Sequence, residues 1–236
     1  MIERKRLKVK LSFRDELEKR ARSRGMSEKS LGIEERSMNI IESEVGSHDY
    51  NMDQWYIVRR VIHATADFDF AKTGKIIFSK DAIECAYQAF SEKGMILTDV
   101  EMALSGINKR SLEKIGVKAI CNISDERVIL KSKNSTKTRS AVAMRYAISM
   151  INNGIIAIGN APTALLEVIN MIRDASARPA LIIGLPVGFV SAADSKAELM
   201  RTNIEYITNS GRKGGSSAVS SIVNAMMLLY IEKFLS

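Results

Sequence analysis

The sequence predicts an α/β fold in which helices cover both faces of a parallel sheet. Hydrophobic residues make up 46% of the 236 residues but aromatic residues only 6%, so the core is built mainly from aliphatic side chains, as in helices packed on a sheet. From residue 95 onward, short apolar runs rich in β-formers alternate with longer segments of helical period. This alternation is typical of βα units, whose strands pair in parallel.

Five strands and seven helices follow from these patterns, in chain order. Two helices precede the sheet and carry Ile, Val or Trp at core spacing; they cover residues 33–45 and 53–63. The strands are the apolar runs 95–100, 118–123, 154–159, 180–185 and 205–208. The remaining helices are predicted over 101–107, 140–151, 162–174, 192–202 and 216–234.

The net charge of +8 is concentrated at the N-terminus. Residues 1–25 hold ten basic and four acidic side chains, and therefore +6 of the total. This segment has a single aromatic side chain, Phe13, and not the several aromatic residues that stack on nucleic-acid bases, so we expect no nucleic-acid partner. We interpret residues 1–25 as a solvated basic arm outside a single domain that spans residues 26–236.

The positions of the charged residues, of Gly and Pro, and of the cysteines predict the compartment of the protein and whether it associates with a membrane. The apolar stretches are interrupted by Gly and Pro before they reach the roughly 20 residues of a membrane helix. The first residues, MIERKRLKVK, are charged where a signal peptide needs an apolar region. Cys85 and Cys121 stand far apart in the sequence. We therefore expect a cytoplasmic protein with no membrane partner.

Three Gly-rich junctions between a strand and a helix are candidates for binding anions, because each offers free N–H groups at a positive helix end. They are IGNAPTALLEV, GLPVGFVSAADSK and NSGRKGGSSAV. In the first, Asn160 is the expected cap and Pro162 fits the first turn. None has the spacing of a nucleotide-binding fingerprint. Tight turns of an ordinary α/β protein explain the same glycines.

His63, one of only two histidines, lies in the apolar run VIHATADFDF. Without a cysteine cluster a structural zinc site is excluded, and no G-x-S-x-G segment supports a serine hydrolase. An imidazole can exchange a proton near neutral pH, but a lone histidine among apolar residues is also a common core residue. Asp67 and Asp69 either orient the imidazole or bind a cation, or they alternate outward with inward phenylalanines. Arg60 shares a helical face with His63.

Seven segments occur in a characteristic order and spacing: RRVIHATADFDF, TDVEMALSGI, ISDE, TRSAVAMR, AIGNAPTAL, GLPVGFVSAADSK and GRKGGSSAV. Together they resemble the precorrin-8X methylmutase family of cobalamin biosynthesis, from about residue 33 to the last helix. The resemblance implies a homodimer with a three-layer α/β/α, Rossmann-like sandwich around a parallel sheet of about five strands. It also implies an isomerase that moves a methyl group from C-11 to C-12 of a corrinoid macrocycle, with no redox cofactor and no metal site.

The resemblance assigns roles to eight residues. The family's catalytic histidine falls on His63, which would protonate a ring nitrogen and take the proton back. The substrate carries acetate and propionate carboxylates, which guanidinium groups, hydroxyls and amides bind. The predicted substrate contacts are Ser37, Arg60, Thr65, Arg139, Asn160, Arg212 and Lys213. For Ser37, an ordinary helical serine is an equally open interpretation.

The residues after the histidine indicate which form of the substrate is used. Members of the aerobic route resemble HACG at this point, whereas HATADFDF resembles the anaerobic, cobalt-first branch. We therefore expect cobalt-precorrin-8, converted to cobyrinate, with the cobalt carried by the substrate and no cofactor of the protein; conversion of metal-free precorrin-8X to hydrogenobyrinate is the other form of the same reaction. Two alternatives stay open: a non-catalytic corrinoid-binding or carrier protein, with His63 as a cobalt ligand or core residue, and a nucleotide-dependent enzyme that uses the Gly-rich junctions for phosphates.

Overall fold

The computed structural model of the protein describes residues 28–147 and 151–235. These residues belong to two compact units, one that ends at Ser47 and one that begins at His48. The predicted basic arm over residues 1–25 lies outside the described residues, and the single domain over residues 26–236 stays a prediction. Within the described ranges, no helix combines the length and the apolar character needed to cross a membrane.

The described part of the first unit is helix α1, Glu28–Val45. Its end is set by Gly46, whose φ of 71° is the left-handed conformation that glycine adopts readily. The N–H of Gly46 donates to the Glu42 carbonyl at 3.2 Å and closes the last turn. The helix predicted over residues 33–45 is confirmed and begins earlier.

The second unit begins with α2, Met52–Thr65, and a short 3₁₀ helix, Phe68–Ala71. Its strands are β1 Ile76–Phe78, β2 Ile96–Thr98, β3 Ala119–Cys121, β4 Ile155–Ile158, β5 Leu181–Gly184 and β6 Tyr206–Asn209. Its further helices are α3 Ala82–Ser91, α4 Glu101–Ser105, α5 Lys109–Ile115, α6 Glu126–Lys133, α7 Arg139–Tyr146, α8 Pro162–Arg173, α9 Ala192–Leu199 and α10 Ser216–Phe234. The fold is therefore mixed α/β, as the alternation of patterns predicted.

The six strands form one sheet in the order β1-β6-β5-β4-β2-β3. The five predicted strands are present and mutually parallel, but β1 was not predicted and pairs antiparallel with β6, with Ile76 opposite Asn209. The prediction of about five parallel strands is thus incomplete. Strand β1 lies before residue 95, where the alternation of strand and helix patterns begins, and it pairs along the edge that β6 offers.

The helices differ from their predicted bounds mainly where the sequence is polar or the helix is short. The last helix, over residues 216–234, has the predicted ends. Helices α3, α5 and α6 were not predicted, and α6 buries only Val128, so it lacks the apolar stripe that a sequence pattern needs. The helix predicted over 140–151 corresponds to α7, which ends at Tyr146, and residues 148–150 lie outside the described part.

The core is centred on β4 and β5, which are buried at every position. Burial on both faces explains why these strands are continuous apolar runs. Ile156 and Ile182 pack in one cluster with Leu165 and Val168 of α8. Helix α10 lies beside β4 and β5 and packs against α2. The sheet and α10 therefore hold α2 in a fixed position relative to the ends of the central strands.

The loops at the carboxyl edge of the sheet are in direct backbone contact. A Cβ atom on Gly214 would lie 2.0 Å from the Leu185 carbonyl oxygen, and one on Gly159 would lie 2.9 Å from the Gly215 carbonyl oxygen. The Gly215 N–H donates to the same Leu185 carbonyl at 3.0 Å. The loops after β4, β5 and β6 can therefore approach this closely only because glycine has no side chain.

We expect Gly214→Ala to lower the free energy of unfolding by about 3 kcal/mol, since the methyl group would force two backbones apart. Urea unfolding followed by circular dichroism measures this loss. Gly74→Ala is the matched control, because its Cβ would meet no atom closer than 3.7 Å. A Gly214→Ala protein as stable as the control would contradict the close approach.

Candidate active site

His63 lies in the last turn of α2 and is exposed, whereas its neighbours Val61 and Ile62 are buried. The helix is fixed at its start by a capping box between Asn51 and Gln54. The imidazole therefore lies on the outside of a well-anchored helix. The interpretation of His63 as a core residue is therefore wrong. The apolar residues next to it in the sequence are turned toward the core, and they do not surround the imidazole.

The chain leaves α2 through a set of local hydrogen bonds. The Thr65 hydroxyl donates to the Val61 carbonyl at 2.8 Å and accepts from the Asp67 N–H at 3.3 Å. The Asp67 side chain accepts from the Asp69 N–H at 3.0 Å and starts the 3₁₀ helix. Phe70 is buried, whereas Asp67, Phe68 and Asp69 are all half-buried, so the predicted alternation of inward phenylalanines and outward carboxylates holds only for Phe70. Thr65 thus uses its hydroxyl to shape the segment after His63.

Lys213 connects this segment to the loop after β6. Its ammonium group lies 2.8 Å from an Asp67 carboxylate oxygen and 2.5 Å from one of Asp69. Hydrogen bonds to the two carboxylates raise the pKa of Lys213, and the same contact lowers the pKa of Asp69. The cation that the two aspartates bind is therefore a lysine of the protein. A substrate carboxylate would have to displace them in order to bind Lys213.

Arg60 lies one helical turn before His63 and is half-buried. Its guanidinium carbon is 5.2 Å from the centroid of the Tyr56 ring, a distance at which cation and ring attract. The neighbouring Arg59 is buried, 5.0 Å from the same ring. Both arginines are thereby held to α2 on the helix that carries the imidazole.

The first Gly-rich junction is occupied by a side chain of the protein. Asp99 follows β2, is fully buried, and accepts hydrogen bonds from the N–H groups of Gly159, Asn160 and Ala161 at 3.0, 2.8 and 2.7 Å. Burial raises the pKa of the Asp99 carboxyl, and the three N–H bonds act in the opposite direction. The anion expected at the start of α8 is therefore internal, and a phosphate there would have to displace it.

Asp99 was missed by the sequence reasoning, although TDVE carries a signal for it. The chain reverses its progress across the sheet between β2 and β4, which are neighbours, and the carboxyl ends of such strands border a crevice. A carboxylate directly after a buried strand at this point faces the N–H groups of the next junction. Asn160 is consequently not the helix cap: Ala161 takes that position, Pro162 begins the helix as predicted, and the Asn160 residue is exposed.

Arg139 begins α7 beside the same junction. The Thr138 hydroxyl caps α7 through the Ala141 N–H and lies 2.8 Å from the Thr163 hydroxyl in the first turn of α8. The buried carboxylate of Glu167 binds Lys137 at 2.6 Å. These contacts fix the start of α7, and Arg139 extends from it as an exposed residue.

Arg212 and the loop after β5 form an exposed surface of mixed character. The Gly188 N–H donates to the Arg212 carbonyl at 3.1 Å, and the Arg212 guanidinium carbon is 5.5 Å from the Phe189 ring centroid. Phe189 and Val190 are 86% and 82% exposed. A guanidinium group beside large apolar side chains suits a flat ligand that carries carboxylates.

Ser37 lies in α1, in the first unit, and its role as a substrate contact stays a prediction. Its hydroxyl donates to the Ile33 carbonyl, one turn earlier, at 2.9 Å. This bond is typical of a serine inside a helix.

The second unit brings its predicted site residues together in two groups. The Lys213 ion pairs join the segment of His63 and Thr65 to the loop of Arg212, while the Thr138–Thr163 contact joins Arg139 to the junction of Asn160. The contact of Gly159 with Gly215 connects the two groups at the sheet edge. In the part of the chain that the structure describes, no group of three His, Cys, Asp or Glu side chains is arranged to hold a metal ion.

Comparison with known proteins gives a consistent result. A family model described as precorrin-8X methylmutase matches residues 32–229. A cobalt-precorrin-8 methylmutase of Leptospira interrogans is 45% identical over 84% of this chain and 92% of its own, and one of Priestia megaterium is 44% identical over 84% and 87%. The crystal structure of a precorrin-8x methyl mutase from Thermus thermophilus superposes with a TM-score of 0.80 at 36% identity, over 86% of this chain and 97% of that one.

We expect Asp99→Asn to lower the free energy of unfolding by about 2 kcal/mol, because its amide NH₂ would face backbone N–H groups and leave at least one of them without an acceptor. Thermal and urea unfolding measure the loss. Asp194→Asn, at an exposed position of α9, is the control for the change of charge and should lie within about 0.5 kcal/mol of the wild type. Equal stability of the two variants would argue against an anchoring role of Asp99.

Proposed function

The chain belongs to the precorrin-8X methylmutase family and is a methylmutase of cobalamin biosynthesis, and we propose that it converts cobalt-precorrin-8 to cobyrinate with His63 as the group that moves the proton. In this isomerisation the bond between the methyl group and C-11 breaks and a bond to C-12 forms. The atoms and electrons of substrate and product balance without an oxidant or a second substrate. The proposal therefore includes no resident cofactor, and the cobalt belongs to the substrate.

The exposed imidazole at the end of α2 is the observation that carries this proposal. Donation of its proton to a ring nitrogen makes the conjugated system electron-poor and so eases migration of the methyl group. The same imidazole then takes the proton back, so a single residue serves both steps. Its position on a helix whose neighbouring side chains are buried gives the group a fixed location from which to act.

The substrate carboxylates require cations that are not already neutralised. Arg139 and Arg212 are exposed, and no carboxylate among the described residues forms an ion pair with either. We assign them the main role in binding, with Arg60 close to the imidazole and the amide of Asn160 as a neutral contact. Lys213, in contrast, is bound by two aspartates, so its larger contribution is to hold the loop of Arg212.

The apolar faces of the macrocycle need a surface as well as charges. Phe189 and Val190, which project from the loop after β5, supply it in this proposal. An exposed aromatic ring otherwise costs free energy in water, and a flat ligand that covers it regains that energy.

Two further observations bear on the substrate form and the assembly. The relatives named above that share 45% and 44% identity are cobalt-precorrin-8 methylmutases, which supports the cobalt-bound substrate. A homodimer in the cytoplasm is part of the proposal; the family resemblance supports the dimer, and the two free thiols, Cys85 and Cys121, suit a reducing compartment. The packing of α8 against Ile156 and Ile182, with α10 beside the same strands, supports a three-layer Rossmann-like sandwich.

We expect His63→Ala to bind cobalt-precorrin-8 with an affinity within about threefold of the wild type but to lose roughly 10²–10⁴-fold in kcat, the usual contribution of a general acid–base group. The absorbance change on methyl migration measures turnover, and a spectral titration measures binding. His48→Phe is the control: His48 stacks on Trp55 at 4.0 Å, and a phenyl ring keeps the stack. Turnover of His63→Ala at the wild-type rate would remove the proton-transfer role. Tight binding by the wild type without turnover would instead indicate a carrier protein.

We expect Arg212→Met to raise KM about tenfold and to change kcat less than threefold, because one charge-assisted hydrogen bond to a substrate carboxylate is lost. Steady-state kinetics with cobalt-precorrin-8 measures both constants. Arg201→Met removes another exposed guanidinium, which is paired with Glu198, and should leave KM unchanged. An unchanged KM for Arg212→Met would exclude Arg212 as a substrate contact.

A further inference from the structure

Lys196 is a fully buried lysine in α9. Its ammonium group donates to the Asn209 side-chain oxygen at 3.0 Å and to the Lys213 carbonyl at 2.7 Å. Both acceptors are neutral. Because it is buried, the group cannot reach a ligand itself, and it acts on the loop of residues 209–215 from the inside.

Burying this charge carries a cost in stability. Burial is the only cause that lowers the pKa of Lys196, to about 8, and no carboxylate offsets it. An ammonium group placed among neutral acceptors loses hydration that two hydrogen bonds replace only in part. A methionine of similar length would avoid that loss, but it would leave the Asn209 side-chain oxygen without the donor that Lys196 supplies. The lysine is therefore explained by the two hydrogen bonds that it makes to the loop, and not by a gain in stability from its charge.

The loop that Lys196 holds is the one that presents Arg212. Asn209 is fully buried and also donates to the Lys213 carbonyl at 3.1 Å, so the lysine, the asparagine and the carbonyl form a closed set of hydrogen bonds beneath the loop. On the outer side, the Arg212 carbonyl accepts from Gly188 and the Lys213 side chain binds two aspartates. Arg212 lies between the inner and the outer attachments.

We infer that Lys196 is a positioning residue whose buried ammonium group holds the loop of residues 209–215 in the conformation that directs Arg212 toward a carboxylate of the corrinoid substrate. The inference rests on the proposed function for the identity of the substrate. The attachment of the loop does not depend on it.

Lys196→Met tests the inference in the full-length protein. We expect KM for cobalt-precorrin-8 to rise about tenfold with kcat within threefold of the wild type, while the melting temperature changes little, because relief of the buried charge offsets the acceptor left unpaired at Asn209. In an Arg212→Met background, Lys196→Met should raise KM no further, since it acts through Arg212. Lys114→Met, which removes an exposed lysine of α5, is the control and should change none of these values.

Hydrogen exchange of the unliganded protein tests the loop without the reaction. The amide of Gly215, which donates to the Leu185 carbonyl, and that of Gly188, which donates to the Arg212 carbonyl, should exchange about tenfold faster in Lys196→Met than in the wild type or in Lys114→Met. Lys196→Gln, which keeps a donor but removes the charge, gives an intermediate rate and replaces the methionine variant if the latter does not fold. If the wild type does not convert the corrinoid, the proposed function is wrong and the exchange rates alone decide whether Lys196 holds the loop.

Three results would overturn the inference. The first is a Lys196→Met protein with unchanged loop exchange. The second is a rise in KM that adds in full to that of Arg212→Met. The third is a lower melting temperature with KM unchanged, which would make Lys196 a structural residue only.

Discussion

The backbone contact among three loops at the carboxyl edge of the sheet is the constraint on which the site depends. Gly159 meets Gly215, and Gly214 meets the Leu185 carbonyl, at distances that leave no space for a side chain. This close approach buries N–H groups of the loop after β4, and buried N–H groups need hydrogen-bond acceptors. Asp99 supplies a carboxylate to three of them. The loops after β4, β5 and β6 thereby become one rigid surface, from which Asn160, Phe189 and Arg212 extend.

The buried charged groups beneath this surface form hydrogen bonds with the protein itself and not with a ligand. Asp99 takes the helix end that would attract an anion, and Lys196 bonds to neutral acceptors under the neighbouring loop. Each is placed in the interior at a cost in free energy, because desolvation of a charge is only partly offset by hydrogen bonds. Such a cost is expected where the loops must hold one conformation before the substrate arrives. A site that is already ordered loses less binding free energy, because its loops do not have to become ordered when the substrate binds.

The fold was predictable from local patterns, and the site only in part. The Ile-rich runs of β4 and β5 identify buried parallel strands, and the apolar residues of 216–234 identify the last helix. The antiparallel strand β1 depends on a partner more than 120 residues away, which no local pattern contains. The same holds for the side chains: Asp99 binds amides 60 to 62 positions further along the chain, and Lys213 reaches Asp67 and Asp69 across about 145. A motif resemblance marks such residues without saying whether they contact the ligand or one another.

The pairing of Lys213 with two aspartates joins the segment of His63 to the loop of Arg212. The carboxylates follow His63 by four and six residues, and the lysine follows Arg212 by one. In the proposed function, a short path through these ion pairs and α2 sets the distance from the substrate carboxylate at Arg212 to the imidazole, and α2 packs along α10. Proton transfer depends steeply on the distance between donor and acceptor. In the proposed function, the ion pairs of Lys213 contribute to the reaction by keeping the macrocycle at a fixed distance from the imidazole.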